Sequence, residues 1–75
     1  MKNNNIKIQN KLKEYRIKSG LTQFDVMLKL GFRSTDRVSK WETGKMLPNL
    51  INLFKLAKIY GVTPTELFPE LPDNL

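Results

Sequence analysis

The sequence predicts an all-α domain of five short helices with a helix-turn-helix at its centre. Three observations carry that prediction. Apolar residues recur at helical spacing in one segment after another. Glycines and prolines fall between those segments, where helices stop and start. No stretch alternates apolar and polar residues with the period of two that a half-buried strand requires.

The first helix is expected over about Ile8 to Ser19. Ile8, Leu12 and Tyr15 fall at i, i+4 and i+7 on one face, and Gly20 follows as a stop. The second starts at Thr22, whose hydroxyl suits an N-cap. Asp25 adds a carboxylate to its first turn, and Gly31 closes it after Leu30. The third covers roughly Thr35 to Glu42, with Ser34 as its expected cap and Asp36 at the positive end of its dipole. Gly44 ends it, and Pro48 holds Leu47 out of helical conformation. Asn49 caps the fourth helix, with Leu50, Leu53, Phe54 and Ala57 as its expected apolar stripe and Gly61 as its end. Thr63, Pro64 and Glu66 open the fifth with capping-box spacing and proline at the first helical position. Pro69 and Pro72 keep that helix short.

Composition narrows the function classes. Seventy-five residues make one domain, and 40% apolar residues suffice for a compact core. There is no cysteine, which removes disulfides and thiolate metal sites and fits a reducing cytoplasm. There is no histidine, so the usual catalytic base and the usual zinc ligand are both missing. We therefore expect no enzyme, no metal and no cofactor, and the sequence suggests no small-molecule effector. No apolar run is long enough to span a membrane, and Met1 to Asn5 is too polar for a signal peptide.

The net charge is +6, and it is uneven. Lys2, Lys7, Lys11, Lys13, Arg16 and Lys18 face only Glu14 in the first twenty residues, whereas acidic residues outnumber basic ones after Pro48. Such a basic, asymmetric chain has the electrostatic footprint of a nucleic-acid binder, although many small proteins are basic for no such reason.

The stretch from Leu21 to Gly44 reads as two short helices around a glycine-containing turn, a pair able to place its second helix in the major groove. Its residues carry a resemblance. Leu21, Thr22 and Gln23, then Leu30 and Gly31, then Val38 through Lys45, then Pro48, and finally Leu56, Ala57, Lys58, Gly61 and Val62 resemble the Cro and phage-repressor helix-turn-helix family, also called XRE or lambda-repressor-like. The resemblance spans about Ile8 to Phe68. It implies a five-helix lambda-repressor-like DNA-binding domain that works as a homodimer on a palindromic operator. The expected organisation is an N-terminal arm over 1–7, the DNA-binding domain over 8–68 and a short tail over 69–75. There are two departures from the family pattern. The turn after Gly31 is one residue longer, and Met27 stands where the family usually has alanine, at the close approach of the second and third helices.

The expected function is sequence-specific binding of double-stranded DNA by a transcriptional regulator, a repressor, in the cytoplasm. The candidate contacts are Gln23, Ser34, Thr35, Asp36, Arg37, Lys40, Thr43 and Lys45. Arg37 and Lys40 can donate to guanine edges, Asp36 can accept from cytosine N4, and Thr35 can bond either way or touch a thymine methyl. The alternative is that Asp36 merely completes the helix start while both cations touch phosphates. Ser39 falls between interior and groove edge. By resemblance, Gln23 contacts a phosphate, the backbone amides of Thr43 and Gly44 and the Lys45 side chain hold the phosphate flank, and Arg16 and Glu42 form a structural ion pair. Val38 and Trp41, three apart, read as core anchors.

Other apolar residues are open. Phe24 and Leu28 either pack under the N-terminal arm or form a partner surface. Phe68 suits the core, and Leu67, Leu71 and Leu75 suit a dimer contact. Two rival functions follow from the same features. One is an antitoxin-like protein-interaction module with DNA-binding autoregulation. The other is an RNA-binding basic protein, which would need an aromatic stacking platform that this sequence lacks.

Overall fold

The computed structural model describes residues 8–71 and contains five helices and, among the described residues, no strand. The helices are α1 (Leu12–Lys18), α2 (Gln23–Leu30), α3 (Asp36–Glu42), α4 (Leu50–Tyr60) and α5 (Pro64–Leu67). The arm over 1–7 and the tail residues from Pro72 to Leu75 lie outside the described residues.

Local chemistry sets most helix starts. The Thr22 hydroxyl accepts from the Asp25 N–H at 3.0 Å, and the Asp25 carboxylate accepts from the Thr22 N–H at 2.8 Å, a reciprocal capping box. The bond that the Thr22 N–H donates to the carboxylate, and after it the Thr22 side chain, hold the Asp25 carboxyl below its ordinary pKa. Thr63 and Glu66 repeat the device at α5, with Pro64 in its first turn. Asn49 caps α4 by accepting from the Asn52 N–H at 2.8 Å.

Helix α1 begins four residues later than the periodicity predicts. The residues before it bond across the fold instead of along a helix. The Lys11 N–H donates to the Leu67 carbonyl at 2.8 Å, and the Asn10 amide donates to the Trp41 carbonyl at 3.2 Å. The Asn10 side chain also accepts from the Leu12 N–H, so it starts the helix while tying it to α3. Ile8 consequently stands 40% exposed instead of opening the buried face.

The core is built from Leu12, Val26, Leu30, Val38, Trp41, Leu56, Ala57, Tyr60, Leu67 and Phe68, drawn from every helix. The buried stripe of α4 runs through Leu53, Leu56, Ala57 and Tyr60, not through Leu50 and Phe54 as the sequence suggests. Leu50 is 68% and Phe54 56% exposed. Leu67 is fully buried, so it does not offer the dimer contact expected of it, whereas Leu71 is half-buried against the core. Phe68 is in the core as expected. No described helix is long and apolar enough to cross a membrane.

Candidate nucleic-acid interface

Helices α2 and α3 are joined by five residues, Gly31 to Thr35. Gly31 adopts a left-handed φ of 79°, which only glycine takes at little cost. The reversal lets the Phe32 N–H bond back to the Met27 carbonyl at 3.0 Å. Met27, the residue bulkier than the family pattern, is buried at this elbow.

Helix α3 starts at Asp36, one residue later than expected. Ser34 is not its cap: the N-cap position is Thr35, whose side chain makes no cap bond, and the Ser34 hydroxyl reaches the Asp36 N–H only at 3.4 Å. Seven residues then divide by direction. Val38 and Trp41 point inward and are buried. At 100° per residue, Asp36, Lys40 and Thr43 lie on the opposite side, and all three are exposed. Ser39 and Thr35 are half-buried beside them. Arg37 is exposed but lies on a flank, its guanidinium 4.6 Å from the centre of the Phe32 ring.

A buried clasp fixes how this face is presented. Arg16 from α1 donates to both oxygens of Glu42, at 2.6 and 3.3 Å, and to the Leu21 carbonyl at 3.0 Å. Gln23, the first residue of α2, donates its amide to the same carboxylate at 3.0 Å. A fork-on-carboxylate pair has directional specificity that a single contact lacks. It sets the end of α3 against α1 and the start of α2. Glu42 also holds the Arg16 guanidinium above its ordinary pKa through the hydrogen bond. Tyr60 lies close to this clasp. Burial, chiefly, and then the nearby Glu42 charge push its phenol well above the ordinary tyrosine value.

The end of α3 differs from the expectation. The N–H groups of Thr43, Gly44 and Lys45 donate to the carbonyls of Ser39, Trp41 and Lys40, and the Thr43 hydroxyl also turns back to Ser39 and Lys40. These amides are occupied in closing the helix, so they are not free donors for a phosphate. The Lys45 side chain remains exposed there. Among the described residues, Lys40, Arg37, Arg33 and Lys45 pair with no carboxylate.

The structure also displays features that sequence reasoning passed over. Arg33 stands exposed in the turn, lining one concavity with Gly31, Phe32, Ser34 and Arg37. A lone basic residue in a turn carries no periodicity that would say which way it faces. Met46, Leu47, Leu50, Ile51 and Phe54 are exposed apolar residues along the α3–α4 connection and the start of α4. Phe24 and Leu28 are exposed as well, and the arm, one of the two covers expected for them, lies outside the described residues.

Comparison with known proteins agrees with this geometry. Residues 12–67 match the profile of the Helix-turn-helix family. An uncharacterised HTH-type transcriptional regulator of Methanocaldococcus jannaschii is 43% identical over 61 residues, covering 81% of this chain and 91% of the relative. The matched span runs from the first buried residue of α1 to the last residue of α5. The chain belongs to the XRE-type helix-turn-helix family of DNA-binding transcription regulators.

Proposed function

We propose that this chain binds specific double-stranded DNA sequences as a homodimer, inserting α3 into the major groove, and represses transcription from those sites. One observation carries the reading. The outward side of α3 presents Asp36 and Lys40 free of ion pairs among the described residues, while Val38 and Trp41 anchor its inward side in the core. A helix held this way projects donors and acceptors from a rigid platform, which is what reading base edges needs.

Lys40 suits a guanine edge and Asp36 a cytosine amine. Ser34 and Thr35, at the start of α3, supply hydroxyls to the same surface. Gln23 keeps one amide hydrogen beyond its bond to Glu42, and that hydrogen can reach a phosphate while the bond fixes its direction. Lys45 and the Thr43 side chain flank the groove at the other end of α3. Repression is the mode favoured because occupancy of the groove is enough to exclude other proteins from the site.

The exposed apolar surface of Leu47, Leu50, Ile51 and Phe54 supports a second copy as partner. An isologous contact sets such a surface against itself without placing charges in its centre. Each copy carries +6, so two copies repel in solution and are drawn together when DNA neutralises them. Pairing on DNA is therefore favoured over pairing without it.

Fluorescence anisotropy with duplex DNA, single-stranded DNA and double-stranded RNA of one sequence tests the reading. Tight, salt-sensitive binding to the DNA duplex alone is expected. Equal or stronger binding to either of the others would contradict it.

A further inference from the structure

We propose that Arg33 and Arg37 together form a phosphate clamp on the α2–α3 turn, gripping the DNA strand on the side of α3 away from Gln23. The inference rests on the DNA-binding reading above and adds to it a site and a ligand chemistry.

The clamp is built from an aromatic support. Phe32 is half-buried, meets Trp41 edge-on with centroids 5.9 Å apart and planes at 64°, and is tied through its N–H to Met27. Its ring is thus fixed to the core. The Arg37 guanidinium lies over that ring at 4.6 Å, inside the range of a cation–π contact. Arg37 is exposed, so its guanidinium also meets solvent, and an anion there can take the N–H donors that the ring does not engage. Arg33 and Ser34 line the same concavity. Neither arginine pairs with a carboxylate among the described residues. Two guanidiniums on one concave surface repel each other until an anion lies between them, and the planar fork fits a phosphodiester with two bonds.

Position decides which strand. Arg37 and Glu42 are five residues apart, which places them about 140° apart around α3. Gln23 is bonded to Glu42 and so belongs to that flank. Arg37 and Arg33 belong to the other. A helix in the major groove has a phosphate wall on each side, and the two flanks of α3 meet different walls. On this geometry Arg37 positions the helix and leaves base reading to the outward face.

The test compares wild type, Arg33→Ala, Arg37→Ala and the double variant, with circular dichroism as the folding control. Affinity is measured against salt concentration on a selected duplex and on a scrambled one. Each arginine should contribute one phosphate contact. Each single variant should then make the slope of log affinity against log salt shallower by about 0.9, and the double variant by about twice that. Both duplexes should weaken by the same factor, and a neutral methylphosphonate at the clamped position should abolish the difference between wild type and Arg33→Ala. If wild type shows the slope but the variants keep it, or if Arg33→Ala changes preference at one base pair, the clamp is overturned and the DNA-binding reading stands. If wild type binds no duplex, both are overturned.

Discussion

The Gln23 amide and the Glu42 carboxylate meet at 3.0 Å across the helix-turn-helix, and Glu42 is at the same time held by both nitrogens of the Arg16 fork. One carboxylate thus joins α1, α2 and α3. It is the point through which the angle of α3 is set.

Removing one partner of this clasp should be worse than removing both. Arg16→Met leaves a largely buried Glu42 charge with only the Gln23 amide. It should cost on the order of 3–5 kcal/mol, whereas Arg16→Met with Glu42→Met should recover part of that loss. Gln23→Ala removes one bond to a charged group and should cost about 1.5–3 kcal/mol. Urea denaturation of the four proteins measures all these terms. A double variant less stable than Arg16→Met would contradict the uncompensated-charge explanation.

Trp41 is the support for both the recognition helix and the Phe32 ring. Trp41→Ala should cost roughly 3–5 kcal/mol, a large share of the stability of a domain this small. The expected result is a loss of cooperative thermal unfolding, followed by circular dichroism. Retention of a native-like melting curve would mean that the core is anchored elsewhere.

Asp25 and Tyr60 should each give stability a pH dependence, one on the acid side and one on the alkaline side. The folded-state pKa of Asp25 is lowered, so its contribution is present above the ordinary carboxylate range and is lost as pH falls through the lowered value. Asp25→Asn should remove that part of the acid dependence. The folded-state pKa of Tyr60 is raised, so above its ordinary value of 10.0 the folded chain holds a proton that the unfolded chain releases. Stability should therefore fall as pH rises from about 10, and Tyr60→Phe should flatten that alkaline limb. Denaturation midpoints across pH 2–12 check both signs.

Much of this architecture was legible because its determinants are local. Thr22 with Asp25, Asn49, and Thr63 with Pro64 and Glu66 mark helix starts through bonds spanning three residues, and the sequence displays them side by side. What it hid depends on tertiary partners. Ile8 continues the apolar spacing of α1, yet Asn10 and Lys11 bond to Trp41 and Leu67 and delay the helix. Leu50 and Phe54 look like the core of α4, but the face packed inward is the one through Leu56 and Tyr60. Val38 and Trp41 point to an outward Lys40, as found, but also to an outward Arg37, which the structure places on a flank instead. The Phe32 stack that holds Arg37 on a flank depends on the path of the turn, which spacing does not encode.

The exposed surface of α4 makes a prediction about assembly. Ile51→Glu and Phe54→Glu should leave the fold intact, since both side chains are exposed. On DNA they should convert binding of two chains per operator into binding of one, with half-sites no longer cooperating across about 34 Å. Sedimentation of the protein–DNA complex gives the stoichiometry. Two chains still bound with unchanged cooperativity would remove this surface from the assembly.

The central claim is that the outward side of α3 reads sequence, and binding-site selection on wild type and Lys40→Ala tests it most directly. Wild type should enrich a two-fold symmetric site. Lys40→Ala should fold normally and lose discrimination at one base pair in each half-site, by about 1–3 kcal/mol, with the other positions unchanged. Selection of the same site with the same base preferences by a folded Lys40→Ala protein would contradict the assignment of that side as the reading surface.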